Sequence, residues 1–325
     1  MTKRVTTMKN SRIGRFFKQL CLTFGMAFAA TGANAFDSIY IFGDSLSDTG
    51  NAAILTGGVA PERFSNGPVA VDILASSFDL QAIPNFGGGT NYAIGGARAL
   101  GSDSEFDTNL PSQVNSYLQF TGSNADPAAL YVVIIGGNDI FDAQAIRAGS
   151  VTESFGRERQ AIRKEALDRV SDAVASIEAQ VIKLYMAGAR NILVGNAPDV
   201  ALTPQTDVVA ENLLAVTQTR PEERRAEKLN KRTSRLTATF NKELAAAVAR
   251  VEALASIDIL EWDLAEFLSN QIEDAETVGF TNVDDSCIAD GRLPACTGYV
   301  FFDNVHPTTL VHQRAGQDLL QLLKP

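Results

Sequence analysis

Two histidines, His306 and His312, are the only imidazoles in the 325-residue sequence, so chemistry that needs a histidine base has two candidates. His306 follows Asp303 by three residues and precedes a proline, which biases it away from helical geometry. An aspartate at this spacing can accept a hydrogen bond from one ring nitrogen and stabilise the imidazolium that forms when the other takes a proton. A surface loop with an incidental histidine is the alternative for the pair alone. His312 is interpreted as a helix-surface or packing residue.

A candidate nucleophile, Ser45, directly follows an apolar run. A serine at the point where a strand turns into a helix can present its hydroxyl and its backbone N–H together, which supplies a nucleophile and one oxyanion donor. The alternative is a serine that caps the N-terminus of a helix. The G-x-S-x-G elbow of the usual α/β hydrolases is absent because position 47 is serine.

Ligands for a metal or a nucleotide cofactor are scarce in the sequence. Two histidines and two cysteines outside the N-terminal segment do not make the nitrogen and sulfur cluster that zinc requires. Asp284, Asp285 and Asp290 are oxygen ligands for calcium in principle, but their spacing is not that of an EF-hand. Neither G-x-G-x-x-G nor a Walker motif is present. A metal centre is therefore disfavoured, and nucleotide binding lacks its usual sequence signatures.

Four short apolar runs predict the strands that position these residues. They cover residues 37–43, 130–135, 191–195 and 257–261, and long segments with apolar residues at helical spacing, 157–187 and 222–254, precede the last two. Strands without strong alternation, separated by amphipathic helices, indicate a parallel sheet covered on both faces. The sequence therefore predicts an α/β fold.

Ligands of such sheets bind at the carboxyl ends of the strands. The residues that follow the predicted strands are Asp44-Ser45, Asn138-Asp139 and Asn196–Asp199. A glycine-rich segment, 86–97, lies between the first two strands and permits close approach of backbone to a ligand. We expect the site at this edge of the sheet.

The N-terminus has the pattern of a secretory signal peptide. Residues 1–35 carry six Lys and Arg without an acidic residue, an uncharged run at 20–30, and a final Ala-Asn-Ala. The run is shorter than the ~20 residues that a membrane-spanning helix needs, and an amphipathic N-terminal helix is the alternative. We predict that residues 1–35 are removed and that 36–325 form a single domain.

The exported chain would keep two cysteines, Cys287 and Cys296, in an oxidising compartment. An even pair in that setting predicts a disulfide, with two unpaired thiols as the alternative. The bridge would close a short loop just before Asp303, and we expect it to steady the segment that carries Asp303 and His306.

The charge of the chain is negative and unevenly distributed. The formal net charge is −10. Subtracting the six basic residues of 1–35 leaves 22 Lys and Arg against 38 Asp and Glu. A chain with this excess of acidic residues repels phosphate backbones at long range, which disfavours nucleic acid as a partner. The charge-rich segment 220–235 is interpreted as a solvated helix face.

Four ordered sequence blocks together resemble the GDSL, or SGNH, hydrolase family. They are FGDSLSDTGN at 42–51, NYAIGGA at 91–97, GGND at 136–139 and DNVHP at 303–307. A further segment, RFSNGP at 63–68, is similar to the one that follows the first block in secreted lipases and esterases of the family. The resemblance extends from about residue 37 to residue 323.

The resemblance implies a role for each residue that the blocks contain. Ser45 would be the nucleophile, His306 the general base and then acid, and Asp303 the residue that orients His306. The oxyanion hole would use the N–H groups of Ser45 and Gly96, the latter in preference to Gly95, with the side-chain amide of Asn138. The neighbouring aspartates, Asp44 and Asp139, are expected to fix loops through hydrogen bonds to backbone.

The resemblance also implies a three-layer α/β/α fold of flavodoxin-like type, no cofactor, and an exported esterase or lipase. The alternatives are a (lyso)phospholipase or acyltransferase, a carbohydrate O-acetyl esterase, and a non-enzymatic binding module. The expected partner is a small-molecule or lipid ester, with transient contact with membrane lipid compatible with that role and no obligate protein partner implied. From the predicted signal peptide, the expected location is periplasmic or extracellular.

Overall fold

The centre of the molecule is a four-stranded parallel sheet with strand order β1-β2-β3-β4. The computed structural model describes residues 36–102, 104, 106–153 and 155–324, which belong to one compact unit. The predicted signal peptide, residues 1–35, lies outside them. The strands are β1 Ile39–Gly43, β2 Leu130–Ile134, β3 Asn191–Gly195 and β4 Ile259–Trp262. Each coincides with a predicted run, so the parallel α/β prediction is confirmed.

A fifth, irregular segment runs along the free edge of β1. The Ile41 N–H donates to the Thr90 carbonyl at 3.2 Å, and the Tyr92 N–H donates to the Ile41 carbonyl at 2.7 Å. With this segment counted as the second strand of the chain, the order across the sheet is 2-1-3-4-5, that of flavodoxin-like folds. The chain reverses direction across the sheet between β1 and β2, where ligands bind in such folds.

Helices cover both faces of the sheet. In the described residues they are α1 Asn51–Leu55, α2 Ala70–Ser76, α3 Leu110–Phe120, α4 Gly137–Gly149, α5 Gly156–Ala187, α6 Pro204–Val216, α7 Arg220–Ala226, α8 Leu229–Ala255, α9 Leu264–Glu273, α10 Ala275–Val278 and α11 Thr309–Leu322. The predicted helix at 157–187 is α5, and the one predicted at 222–254 is divided into α7 and α8. None of these helices has the length and apolarity to cross a membrane.

Alternate residues of each strand enter two apolar clusters, one on each side of the sheet. Phe42 and Tyr131 pack in the cluster that α3, α5 and α8 cover. Ile41 and Leu130 pack in the cluster that α2, α9 and α11 cover. Because both faces of the sheet are covered, β1 and β2 are apolar along their whole length, which explains the absence of alternation in their sequences. These clusters confirm the three-layer arrangement.

A second, two-stranded sheet lies close to the C-terminal helix. Its strands are β5 Asn282–Ser286 and β6 Tyr299–Phe301. The end of β6 is two residues before Asp303. The small sheet therefore leads directly into one of the loops that carry candidate catalytic residues.

Candidate active site

The structure brings Ser45, Asp303 and His306 into one hydrogen-bonded chain. His306 Nε2 lies 2.8 Å from Ser45 Oγ. His306 Nδ1 lies 2.7 Å from Asp303 Oδ2. An ionised carboxylate only accepts hydrogen bonds, so this network assigns the proton to Nδ1 and leaves Nε2 as the acceptor for the serine hydroxyl. Ser45 and His306 are 261 residues apart in sequence, and their contact is made by the fold.

The loop that carries Asp303 and His306 is held by its own backbone. Asp303 Oδ1 accepts from the N–H groups of Val305 at 2.8 Å and His306 at 2.7 Å. The Phe302 N–H donates to the His306 carbonyl at 2.7 Å, which closes the loop. Burial raises the pKa of Asp303, but the hydrogen bonds and charge of His306 outweigh it and lower that pKa below its usual value. Asp303 is therefore an ionised acceptor at neutral pH.

Ser45 lies in a turn between β1 and α1. The helix begins only at Asn51, so Ser45 does not cap it and the N-cap alternative is wrong. The turn is closed by the Ser47 N–H, which donates to the Asp44 carbonyl at 3.1 Å. Among the described residues, the Ser45 N–H has no acceptor. It is free to donate to a substrate oxygen.

Gly96 and Gly95 differ in what their N–H groups contact. The Gly95 N–H donates to Asp48 Oδ2 at 2.8 Å. The Gly96 N–H has no acceptor within the described part of the chain. Gly96 has φ of +81°, a left-handed conformation that favours glycine. Of the two, Gly96 is thus the one with a backbone donor available to a ligand.

Asn138 is the second residue of α4, directly after the carboxyl end of β2. Its Nδ2 donates to the Ala97 carbonyl at 2.9 Å. A side-chain amide has two N–H donors, so this bond orients the amide and leaves one donor for a ligand. Asn138 and Ser45 line the same cleft.

Asp48 is a structural residue of the site to which the sequence interpretation assigned no role. Its carboxylate is fully buried and accepts from the N–H groups of Gly50, Asn51, Ala52 and Gly95, at 2.7–3.0 Å. It joins the Ser45 turn to the Gly95-Gly96 segment. The signal in the sequence was its place inside the first block. Three of its donors are two to four residues away, but the fourth, Gly95, is 47 residues away and could not be read there.

Asp44 and Asp139 both form the expected bonds to backbone. Asp44 Oδ1 accepts from the Leu46 N–H at 3.0 Å, and Asp139 Oδ2 accepts from the Ala99 N–H at 2.7 Å. Asp139 also pairs with Arg169 at 2.9 Å. Burial, with a smaller contribution from the charge of Asp139, raises the pKa of Asp44 to about 7.

The predicted disulfide between Cys287 and Cys296 is present. Both cysteines are buried against Tyr299 of β6, with Phe302 beside them. The Cys287 N–H donates to the Phe301 carbonyl at 3.0 Å. The bridged loop is thereby attached to the residues immediately before Asp303.

An apolar cleft opens at Ser45 and His306. Its apolar lining comes from the ends of β2 and β4, the loop after β3, and the helices α4, α9 and α11: Ile134, Phe141, Pro198, Val200, Trp262, Leu264, Phe267, Leu268 and Val311. Hydrocarbon surface of this kind favours an apolar ligand group, because burial of each CH₂ contributes about 0.8 kcal/mol.

His312 lies in the wall of the same cleft and is only 4% exposed. The Ala70 N–H donates to its Nδ1 at 3.2 Å, so the neutral ring carries its proton on Nε2. Burial lowers the pKa of His312 to about 3, helped by the nearby His306. Of the two interpretations of His312, a helix-surface residue or a packing residue, the structure supports the second. The His312 ring is uncharged at neutral pH.

The described residues contain no group of three or more His, Cys, Asp or Glu that could hold a metal ion. Asp284, Asp285 and Asp290 are not gathered into a site. Asp290 instead accepts a hydrogen bond from the Tyr299 hydroxyl at 2.8 Å.

Comparison with known proteins gives a family match over most of the chain. Residues 39–319 match the family described as GDSL-like Lipase/Acylhydrolase. "Lipase 1" of Photorhabdus luminescens is 33% identical over 177 residues, which are 54% of this chain and 24% of that lipase. The chain thus spans about a quarter of the length of that relative.

Two further similarities cover nearly the whole chain. "Phosphatidylcholine-sterol acyltransferase" of Aeromonas hydrophila is 23% identical, and the alignment covers 87% of this chain and 89% of that protein. The crystal structure of a lipolytic G-D-S-L family member from Veillonella parvula is 13% identical, with a TM-score of 0.44, over 88% of this chain and 97% of that one.

Proposed function

Because the chain belongs to the GDSL-like lipase/acylhydrolase family, we propose that it hydrolyses carboxylic esters through an acyl-enzyme on Ser45. The observation that carries the proposal is the continuous hydrogen-bonded chain from Asp303 through His306 to Ser45 Oγ. Nucleophile, base and orienting carboxylate are the three parts that this chemistry requires.

Acylation begins with attack of Ser45 Oγ on the ester carbonyl carbon while His306 Nε2 takes the hydroxyl proton. The carbonyl oxygen becomes an oxyanion that accepts hydrogen bonds from the N–H groups of Ser45 and Gly96 and from the Asn138 amide. Asp303 stabilises the imidazolium that forms. Collapse of the intermediate breaks the bond to the alcohol, which leaves with the proton from His306.

Deacylation repeats these steps with water as the nucleophile. His306 takes a proton from the water, the oxygen adds to the acyl carbon, and the second tetrahedral intermediate releases the carboxylic acid as the proton returns to Ser45. The chain supplies every proton acceptor of the cycle, and no external reactant other than water is needed.

The apolar cleft supports an acyl chain longer than acetyl as the preferred substrate group. The cleft starts at the nucleophile and is walled by side chains such as Trp262 and Phe267. These apolar side chains would contact the acyl group of an ester bound at Ser45. This favours a lipase or esterase over a carbohydrate O-acetyl esterase.

Acyl transfer is the second candidate function. The observation in its favour is the near full-length similarity to a protein named as a phosphatidylcholine-sterol acyltransferase. Transfer differs from hydrolysis only in the acceptor of the second half-reaction, so added alcohol or sterol acceptors would increase turnover and yield a new ester.

Export to the periplasm or the medium is proposed from the N-terminal sequence alone. Its test is the N-terminal sequence of the protein recovered from outside the cytoplasm. Recovery starting near Phe36 would support export, and an intact Met1 in a cytoplasmic fraction would contradict it.

The proposed activity is tested with p-nitrophenyl esters from acetyl to palmitoyl. Ser45→Ala is expected to reduce kcat by about 10⁴-fold or more. Ser47→Ala is the matched control, because its hydroxyl lies in the same turn and has no partner among the described residues. A folded Ser45→Ala protein that retains full activity overturns the proposal. An optimum at acetyl would overturn the assignment of the cleft to longer acyl chains.

A further inference from the structure

Six basic side chains surround one surface depression formed by α4, α5 and α8 and the residue before α8. They are Arg147, Arg163, Lys228, Lys231, Arg232 and Arg235. The rest of its wall is formed by Leu167, Leu236 and Thr239, and it contains no acidic side chain. We refer to this group of six cations as the basic site.

The cations of the basic site are not neutralised by the protein. In the described part of the chain, none of the six pairs with a carboxylate. Other arginines of the molecule do pair; Arg98 and Arg169 both bind Asp142, at 2.6 and 2.9 Å. Arg232 makes only a hydrogen bond to the Arg225 carbonyl.

The cations of the basic site also repel one another. Burial, followed by repulsion from Arg232 and Arg163, lowers the pKa of Arg147. Burial, followed by repulsion from Arg163, Arg225 and Arg235, lowers the pKa of Arg232. These charges are concentrated in a chain whose remaining surface is strongly acidic. A multiply charged anion at the centre would relieve the repulsion.

The solvated-face interpretation of 220–235 does not explain the basic site. A solvated face mixes charges of both signs, as α7 does with Glu222 and Glu223 beside Arg224 and Arg225. The wall of the depression draws basic residues from separate parts of the chain and excludes acids. This segregation by sign is a property of the assembled helices.

The basic site and the active site share α4. Asn138 is at the start of this helix and Arg147 is nine residues later, which corresponds to about 14 Å along the axis. A group bound at the basic site would therefore lie near the active-site end of the molecule without touching Ser45.

We propose that the basic site binds a phosphate-type oxyanion, either a free phosphate compound or the phosphate of an anionic lipid headgroup. Arginine guanidinium groups bind phosphate oxygens through paired hydrogen bonds, and lysines add point charges. The overall excess of Asp and Glu in the chain disfavours a long nucleic-acid backbone, whereas a compact phosphate group needs only the local cations.

Calorimetric titration of residues 36–325 with pyrophosphate tests the free-anion source, and sedimentation with vesicles tests the lipid source. The vesicles contain phosphatidylglycerol or, for comparison, phosphatidylcholine alone. Arg147→Gln/Arg232→Gln is expected to weaken the observed binding at least tenfold. Lys183→Gln/Lys242→Gln is the control, since it removes the same charge from exposed positions on α5 and α8 outside the basic site.

Binding of pyrophosphate that is lost in the Arg147→Gln/Arg232→Gln protein supports a free anion, and the same loss for phosphatidylglycerol vesicles supports a headgroup. Absence of binding to both probes, or equal weakening in the control, overturns the proposal. Both readouts are binding, so they do not depend on the proposed ester hydrolysis. Since the substitutions remove repulsion, the Tm of the ligand-free double variant should not fall.

Discussion

His306 and His312 are six residues apart and line the same cleft, yet their surroundings give them opposite properties. His306 lies between an ionised carboxylate and a serine hydroxyl, at 2.7 and 2.8 Å. His312 receives a backbone N–H on Nδ1 and is otherwise enclosed by the helices α2 and α11. One ring is placed to take and return a proton, and the other stays neutral.

The difference shows that the partner on Nδ1 decides what a histidine can do. A carboxylate on Nδ1 makes Nε2 a base and stabilises the charge that results. A backbone N–H on Nδ1 makes Nε2 a donor, and charging the ring would bury an unpaired cation. The two positions therefore form an internal control for the proposed chemistry.

Replacement of the two histidines should give the largest contrast. His306→Ala is expected to lower kcat/KM for p-nitrophenyl esters by about 10⁴–10⁶-fold, because it removes the acceptor that lies 2.8 Å from the Ser45 hydroxyl. His312→Gln keeps an acceptor for the Ala70 N–H, and its kcat/KM is expected to fall by less than about tenfold. Equal losses in two folded variants would show that His312 also takes part in the reaction.

Replacement of the carboxylate should give a smaller loss than removal of the base. Asp303→Asn keeps the size of the side chain but cannot stabilise the imidazolium, and kcat is expected to fall about 10²–10⁴-fold. The pH profile of kcat/KM, measured beside His306→Ala, checks the assignment. A variant with wild-type kcat would mean that the bond between Asp303 and His306 serves only folding.

Removal of the Asn138 amide should reduce activity less than removal of the base. Asn138→Ala is expected to lower kcat by about 10²–10³-fold with little change in KM, because the donor acts on the oxyanion and not on the bound ester. The Asn138 side chain also holds the Ala97 carbonyl, so circular dichroism and Tm are compared with wild type. A change confined to KM would contradict the oxyanion role.

The neutral histidine should be visible in the pH dependence of stability. The unfolded chain protonates His312 near its usual value, whereas the folded chain does so only at about 3. Between these values the unfolded state binds more protons, so stability decreases as the pH falls, by about 1.4 kcal/mol per pH unit. Urea unfolding of wild type and His312→Gln measures the difference. Parallel curves from pH 7 to pH 4 would contradict it.

The contribution of Asp44 to stability should change with pH in the opposite direction. Its pKa is about 7 in the folded protein, above the usual value for aspartate, so the folded state holds the proton that the unfolded state releases. Wild type is therefore expected to lose stability relative to Asp44→Asn as the pH rises from 4 to 7. The two effects offset one another in wild type, and each is seen only as a difference from its own variant. A constant difference would mean that Asp44 ionises normally.

Local sequence patterns were sufficient for the four strands of the sheet and for the long helices α5 and α8. The runs that became β1 to β4 are mainly apolar because both faces of the sheet are covered. The predicted segment 157–187 ends at the same residue as α5, Ala187. The division between α7 and α8 was not predicted, because charged residues at helical spacing continue across it. The irregular edge segment beside β1 has no strand pattern, and it pairs through backbone groups alone.

The sequence predicted the residues of the candidate site but not the hydrogen bonds that hold them in place. The four residues found from their blocks are Ser45, Asn138, Asp303 and His306. The role of Asp48 was not found, because the bond by which it joins the two segments comes from Gly95, 47 residues away. The basic site was missed for a related reason. Four of its six cations lie at 228–235, within the segment interpreted as a solvated face. Their grouping with Arg147 of α4 and Arg163 of α5 around one depression depends on how the helices pack.

The sequence by itself determined which residues could carry the chemistry, because side-chain type and block order are local properties. The periodicity of apolar residues likewise determined the layers. Only the tertiary structure decided that Ser45 meets His306, that the Gly96 N–H is free while that of Gly95 is not, and that six cations share one depression. Those facts depend on distances between segments far apart in the chain, and such distances follow from packing around the sheet.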